Sequence, residues 1–72
     1  MKFIVGEVVF VLNHPEIDIN TEAVEIMSRN KIDKTYIVRK TTQSTTLYRE
    51  YLVKESDLLS PIEWQDRRDL YQ

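Results

Sequence analysis

With 72 residues, no cysteine and a formal net charge of −2 at pH 7, the chain holds one small domain. A domain of that size buries only about 60% of the surface its unfolded form exposes, and the lack of cysteine excludes disulfide staples, a thiolate nucleophile and a cysteine-based metal site. A reducing, cytoplasmic setting is expected, and no apolar run nears the ~20 residues that cross a bilayer, so no membrane partner is expected.

The amino-terminal residues 1–5 join one positive charge to an apolar run. Glu7 interrupts that run and no small-residue cleavage site follows, so the segment reads as strand and not as a signal peptide. Gly6, the only glycine, sits where a positive φ or a close backbone approach is expected. Over 7–12, Val8, Phe10 and Leu12 fall on one strand face and Val9 and Val11 on the other, as in a strand covered on both sides. Asn13-His14-Pro15 ends it, because proline cannot donate to a ladder and holds His14 extended. Residues 15–22 read as an ordered loop.

Residues 21–29 admit two readings. A helix starting at Asn20 or Thr21 sets Ala23, Ile26, Met27 and Asn30 on one side; a strand alternates Val24 and Ile26 with Glu25 and Met27 and leaves 28–34 as a hairpin loop. The strand is preferred.

The stretch 34–58 organises the chain. Two apolar runs, Tyr36-Ile37-Val38 and 47–53, flank the hydroxyl-rich tract 41–46 and predict a β-hairpin. Alternation turns Tyr36, Val38, Tyr51 and Val53 inward, where with Phe10 they are expected to form the core. Ile37, Tyr48 and Leu52 then form a second apolar strip that something must cover. After Val53, residues 55–59 read as a short turn or 3₁₀ segment that tucks Leu58 or Leu59 under the sheet.

Ser60-Pro61-Ile62-Glu63 carries the sharpest local signal, a capping box with proline at the first helical position, and predicts a helix over 61–71. Trp64, Arg68 and Tyr71 share one face, with Trp64 as the anchor, and Arg67 and Arg68 complement the helix dipole. So short a helix must dock to persist, and it is the one candidate cover for the strip.

These features resemble the small SH3-like barrels of bacterial and phage proteins. The matching stretches are Gly6-Glu7-x-Val9 entering the first strand, a loop, two hairpins, and Tyr51-x-Val53-x-Glu55-Ser56-Asp57-Leu58, where such barrels make a 3₁₀ turn before their last strand. The resemblance covers roughly residues 5–59 and implies a mainly β fold. It would be an open barrel of four to five short antiparallel strands over 1–59, with a C-terminal helix over 60–72 in place of a fifth strand. The alternative is an α+β domain, a three-stranded sheet with helices near 21–30 and 61–71. The acidic-aromatic signature of polyproline-binding SH3 domains is missing, so no peptide-groove residues carry over. Functions within the group range over protein docking and nucleic-acid binding.

Catalytic chemistry finds little to work with. His14 is the only histidine, in a turn, with no oriented nucleophile nearby in sequence. Asp18, Asn20 and Glu22 have the first spacings of a calcium loop, but Ala23 and Arg29 stand where glycine and a bidentate glutamate are required. One glycine cannot build a phosphate cradle, and Glu55, Asp57, Glu63, Asp66 and Asp69 read as a solvated helix face with its cap. No enzyme activity, metal or cofactor is expected.

Charge is unevenly spread. Residues 1–25 carry one lysine against five carboxylates, 26–54 seven cations against two carboxylates, and 55–72 two arginines against five carboxylates, giving −4, +5 and −3. Such a middle can serve an anionic partner, or the acidic ends can fold against it. Two partner readings follow. The preferred one is a protein-interaction module, self-associating as a homodimer, with Ile37, Tyr48, Leu52, Trp64 and Tyr71 at its interface. The other is a weak nucleic-acid binder using the basic hairpin 31–54, with Arg39, Lys40, Arg49 and Lys54 on phosphates and tyrosines as stacking platforms.

Overall fold

The computed structural model describes residues 2–42 and 49–70. Its elements are β1 (Val8–Val11), β2 (Val24–Asn30), β3 (Thr35–Lys40), β4 (Tyr51–Lys54), a 3₁₀ turn (Glu55–Asp57), β5 (Leu58–Leu59) and helix α1 (Pro61–Leu70). The strands form one antiparallel sheet in the order β4-β3-β2-β1-β5. Its ends, β4 and β5, are not neighbours, so the sheet is not closed into a barrel. The fold is thus mainly β with a C-terminal helix, and 24–30 is strand, which sets aside the α+β alternative.

Alternation sorts the buried face. Tyr36, Val38, Tyr51 and Val53 are buried as expected, Val38 opposite both Ile26 and Tyr51. On β1 the inward residues are Val9 and Val11, opposite Val24 and Leu58, and all four are buried. This corrects the placement of Phe10. It is half-buried on the other face, where it stacks on Trp64 with ring centroids 4.5 Å apart. With both faces of β1 apolar, alternation alone did not say which one met the main core.

Further departures are local. Residues 2–5 are not strand; Gly6 turns the chain at φ 95°, and its N–H donates to the Ile26 carbonyl at 2.8 Å. The strand β2 runs to Asn30, farther than its polar end suggests, with a bulge at Met27 where Ile26 and Ser28 oppose the successive residues Val38 and Ile37. A two-residue fifth strand precedes the helix, paired to β1. It follows the 3₁₀ turn expected there. The capping box is present in full: Glu63 N–H donates to Ser60 Oγ at 3.1 Å, and Ser60 N–H to Glu63 Oε1 at 3.0 Å.

Helix α1 packs on β1 and β5. Trp64 fixes it there, stacking on Phe10 and donating its indole N–H to the Ile19 carbonyl at 2.8 Å, with the Arg68 guanidinium 5.3 Å from the ring centre. The expected cover for Ile37 and Leu52 therefore lies at the other end of the strand order. Leu52 is 67% exposed.

Candidate interaction surface

On β3 and β4, Ile37 stands directly opposite Leu52 on the face away from the core. Ile37 is partly covered by its neighbours, whereas Leu52 is open to solvent and belongs to the edge strand. Tyr48 and Tyr71 lie outside the described residues. Of the expected interface residues the structure pairs Ile37 with Leu52, whereas Trp64 is engaged on β1 through its indole bond and its stacking on Phe10.

Beside Leu52 lies a groove of about 1400 Å³ that includes Lys31, Ile32, Lys34, Lys54 and Glu63. Its far wall is the β2–β3 turn. Asn30 Oδ1 accepts the N–H groups of Ile32 at 2.9 Å and Asp33 at 3.3 Å, and Lys34 takes a positive φ of 54°. That geometry holds Ile32 out, 93% exposed. The Lys34 carbonyl accepts Glu55 N–H at 2.9 Å and Thr35 pairs with Lys54, which sets Lys34 and Lys54 on one rim.

The cations proposed for nucleic acid are mostly engaged. Arg39 meets Glu25 at 3.5 Å, Lys40 meets Glu22 at 2.9 Å and Arg49 meets Glu16 at 3.2 Å. The acidic first third folds against the basic middle. Glu22 is held below the usual carboxylate range, first by the Asp18 N–H and then by Lys40, and Glu22 in turn raises the Lys40 ammonium. Lys40 also lies 5.9 Å from the Tyr51 ring centre, and His14 meets that ring edge-on while its Nδ1 accepts Glu16 N–H at 3.1 Å. His14 is a turn and packing residue. Among the described residues, Lys31, Lys34 and Lys54 form no ion pair.

A clasp at the amino terminus closes the other side of the groove. Phe3 is buried edge-on against Tyr36, its N–H donates to the Tyr36 hydroxyl at 3.2 Å, and its carbonyl accepts from Arg29 Nη1 at 3.0 Å. The Tyr36 hydroxyl donates to Glu55, which also accepts Lys2 N–H at 3.2 Å, while Lys2 Nζ reaches Glu63 at 2.8 Å. Thus Glu55 and Glu63, expected to be solvated, tie the amino terminus to the 3₁₀ turn and the helix start. Nothing local in sequence signals it, because the partners are far apart along the chain.

Hydrogen bonds set the acidities of the two carboxylates here. Glu55 is lowered, first by the Tyr36 hydroxyl and then by Lys2 N–H; Glu63 is lowered, first by the Lys2 ammonium and then by Ser60 N–H. Burial, then Glu55, pushes Tyr36 up. A carboxylate with a depressed folded pKa contributes stability that is complete above the unfolded value of about 4.3 and is lost as pH falls through the folded value. The melting temperature is therefore expected to drop below about pH 4, less steeply in Glu55→Gln. Superimposable acid limbs for the two proteins would show that Glu55 is not held as described.

Among the described residues no helix is long and apolar enough to cross a membrane. No protein-family model, curated protein or solved structure matches the chain.

Proposed function

We propose that the chain is a non-catalytic protein-interaction module of the cytoplasm that binds a second copy of itself through the outer face of β3 and β4. The observation that carries the reading is Leu52, 67% exposed opposite Ile37 on an edge strand, with α1 packed elsewhere. An apolar side chain there, next to the unpaired backbone of an edge, favours association over solvation. A two-fold dimer is the simplest closed solution, since one self-complementary patch serves both chains. The likeness to small SH3-like barrels is part of the proposal, supported by β5 lying beside β1 after a 3₁₀ turn. The ion pairs of Arg39, Lys40 and Arg49 favour a protein partner over nucleic acid, and the bonds of Glu22, Glu55 and Glu63 give those carboxylates structural work.

Sedimentation over a range of concentrations tests the reading, with Ile37→Glu/Leu52→Glu as the variant. The wild type is expected to reach dimer mass and the variant to stay monomeric with wild-type circular dichroism. A wild type that remains monomeric at the highest concentration would refute self-association.

A further inference from the structure

Helix α1 sorts its charges by face. Ile62, Asp66 and Asp69 recur at i, i+4 and i+7 and so share one stripe, on the side away from Trp64, which points to β1. Ile62 is 75% exposed, and Asp66 and Asp69 are exposed too. Asp69 accepts Gln65 Nε2 at 3.0 Å, which keeps its carboxylate on the stripe. Arg67 and Arg68 lie off it; Arg68 sits over Trp64. The outward side of the helix thus offers one apolar residue followed by two carboxylates.

The groove offers the converse. Ile32 and Leu52 are exposed apolar side chains, and around them stand Lys31, Lys34 and Lys54 without ion-pair partners among the described residues. The carboxylates that also line the groove are held within the chain, Asp33 by Asn30, Glu55 by Tyr36 and Lys2 N–H, and Glu63 by the Lys2 ammonium and Ser60. The acidic first third pairs with Arg39, Lys40 and Arg49 and with none of these three lysines, of which Lys34 lies near Glu55. Among the described residues no ion pair joins Asp66 or Asp69 to a cation.

We infer that the groove receives α1 of a second copy, Ile62 against Leu52 and Ile32, with Asp66 and Asp69 against Lys34 and Lys54. This rests on the self-association proposed above and names the surface that meets the β3–β4 face. Glu63 lines the groove, so the stripe that flanks it adjoins the groove on one side of the molecule. A two-fold axis between the two seats each helix in the other chain's groove, and the contact closes at two chains. Opposite charges brought together in this way choose the partner and its register.

Exchanging the charges tests it. Lys34→Glu/Lys54→Glu sets carboxylates against carboxylates in its own dimer, and Asp66→Lys/Asp69→Lys sets lysines against lysines. Each variant alone is expected to dimerise at least about tenfold more weakly than the wild type, and more weakly still than salt screening alone would produce. Mixed one to one, both contacts become complementary, and a heterodimer of near wild-type affinity is expected by sedimentation. All four positions are on the surface, so melting curves of the variants should stay close to wild type. Dimers that survive both exchanges yet dissociate on Ile37→Glu/Leu52→Glu would refute the helix as occupant and leave the self-association reading standing. Two weakened variants that fail to rescue each other would also refute it. A wild type that is monomeric throughout would refute both readings.

Discussion

Replacing Tyr36 with alanine is expected to unfold the domain. Tyr36 has no exposed surface and heads the fully buried side chains by volume. It lies on β3, the strand that pairs with both β2 and β4, and it supports Phe3. Truncating a buried aromatic residue costs about 3–5 kcal/mol, against a total of about 5–15 kcal/mol for ordinary domains and less for one this small. Tyr36→Phe separates the ring from its hydroxyl. It leaves the core filled but strips Phe3 N–H and Glu55 of their shared partner, for which about 1–3 kcal/mol is expected. Denaturant titrations of both variants make the test. A cooperative wild-type-like transition for Tyr36→Ala would remove Tyr36 from the centre of the core, and a phenylalanine variant as stable as the wild type would mean the clasp contributes nothing.

How much of this could be read from the sequence depends on the range of the interactions. Hairpin β3–β4 and the capping box were legible because their signals are local: alternation within Tyr36 to Val53, and four adjacent residues that each suit a helix start. The strand order was not. Whether α1 would lie on β3 and β4 or on β1 turns on β5 pairing with Val11, a contact of two residues with no pattern of its own. The same gap moved Phe10 from the core to the helix, since Val9 and Val11 are as apolar as Phe10 and only their partners Val24 and Leu58 decide the facing. The bulge at Met27 leaves no mark in a run that alternates well on both sides. Charge was half legible. The split into acidic and basic thirds foretold neutralisation, but which lysines would be left over required the turn at Asn30 and the pairs Glu25–Arg39 and Glu22–Lys40.

Trp64→Ala is expected to release helix α1 and expose the outer face of β1. Ten residues cannot hold a helix alone in water, where about 12–15 are marginal, so the capping box starts a helix that only docking maintains. Docking depends on Trp64, through its stacking on Phe10 and its bond to the Ile19 carbonyl. Removing the indole leaves Phe10 half-bare and a loop carbonyl without its donor, and a loss of about 3 kcal/mol is expected, with the helical part of the far-ultraviolet circular dichroism lost before the sheet melts. Trp64→Phe keeps a ring for Phe10 and gives up the hydrogen bond, so the helix should stay docked at a cost of about 1 kcal/mol. The same variant reaches the proposed interface. An undocked helix cannot present Ile62, Asp66 and Asp69 in register, so Trp64→Ala is expected to dimerise poorly while Trp64→Phe dimerises like the wild type. Full helicity and an unchanged melting temperature in Trp64→Ala would show that α1 is held by something other than its tryptophan.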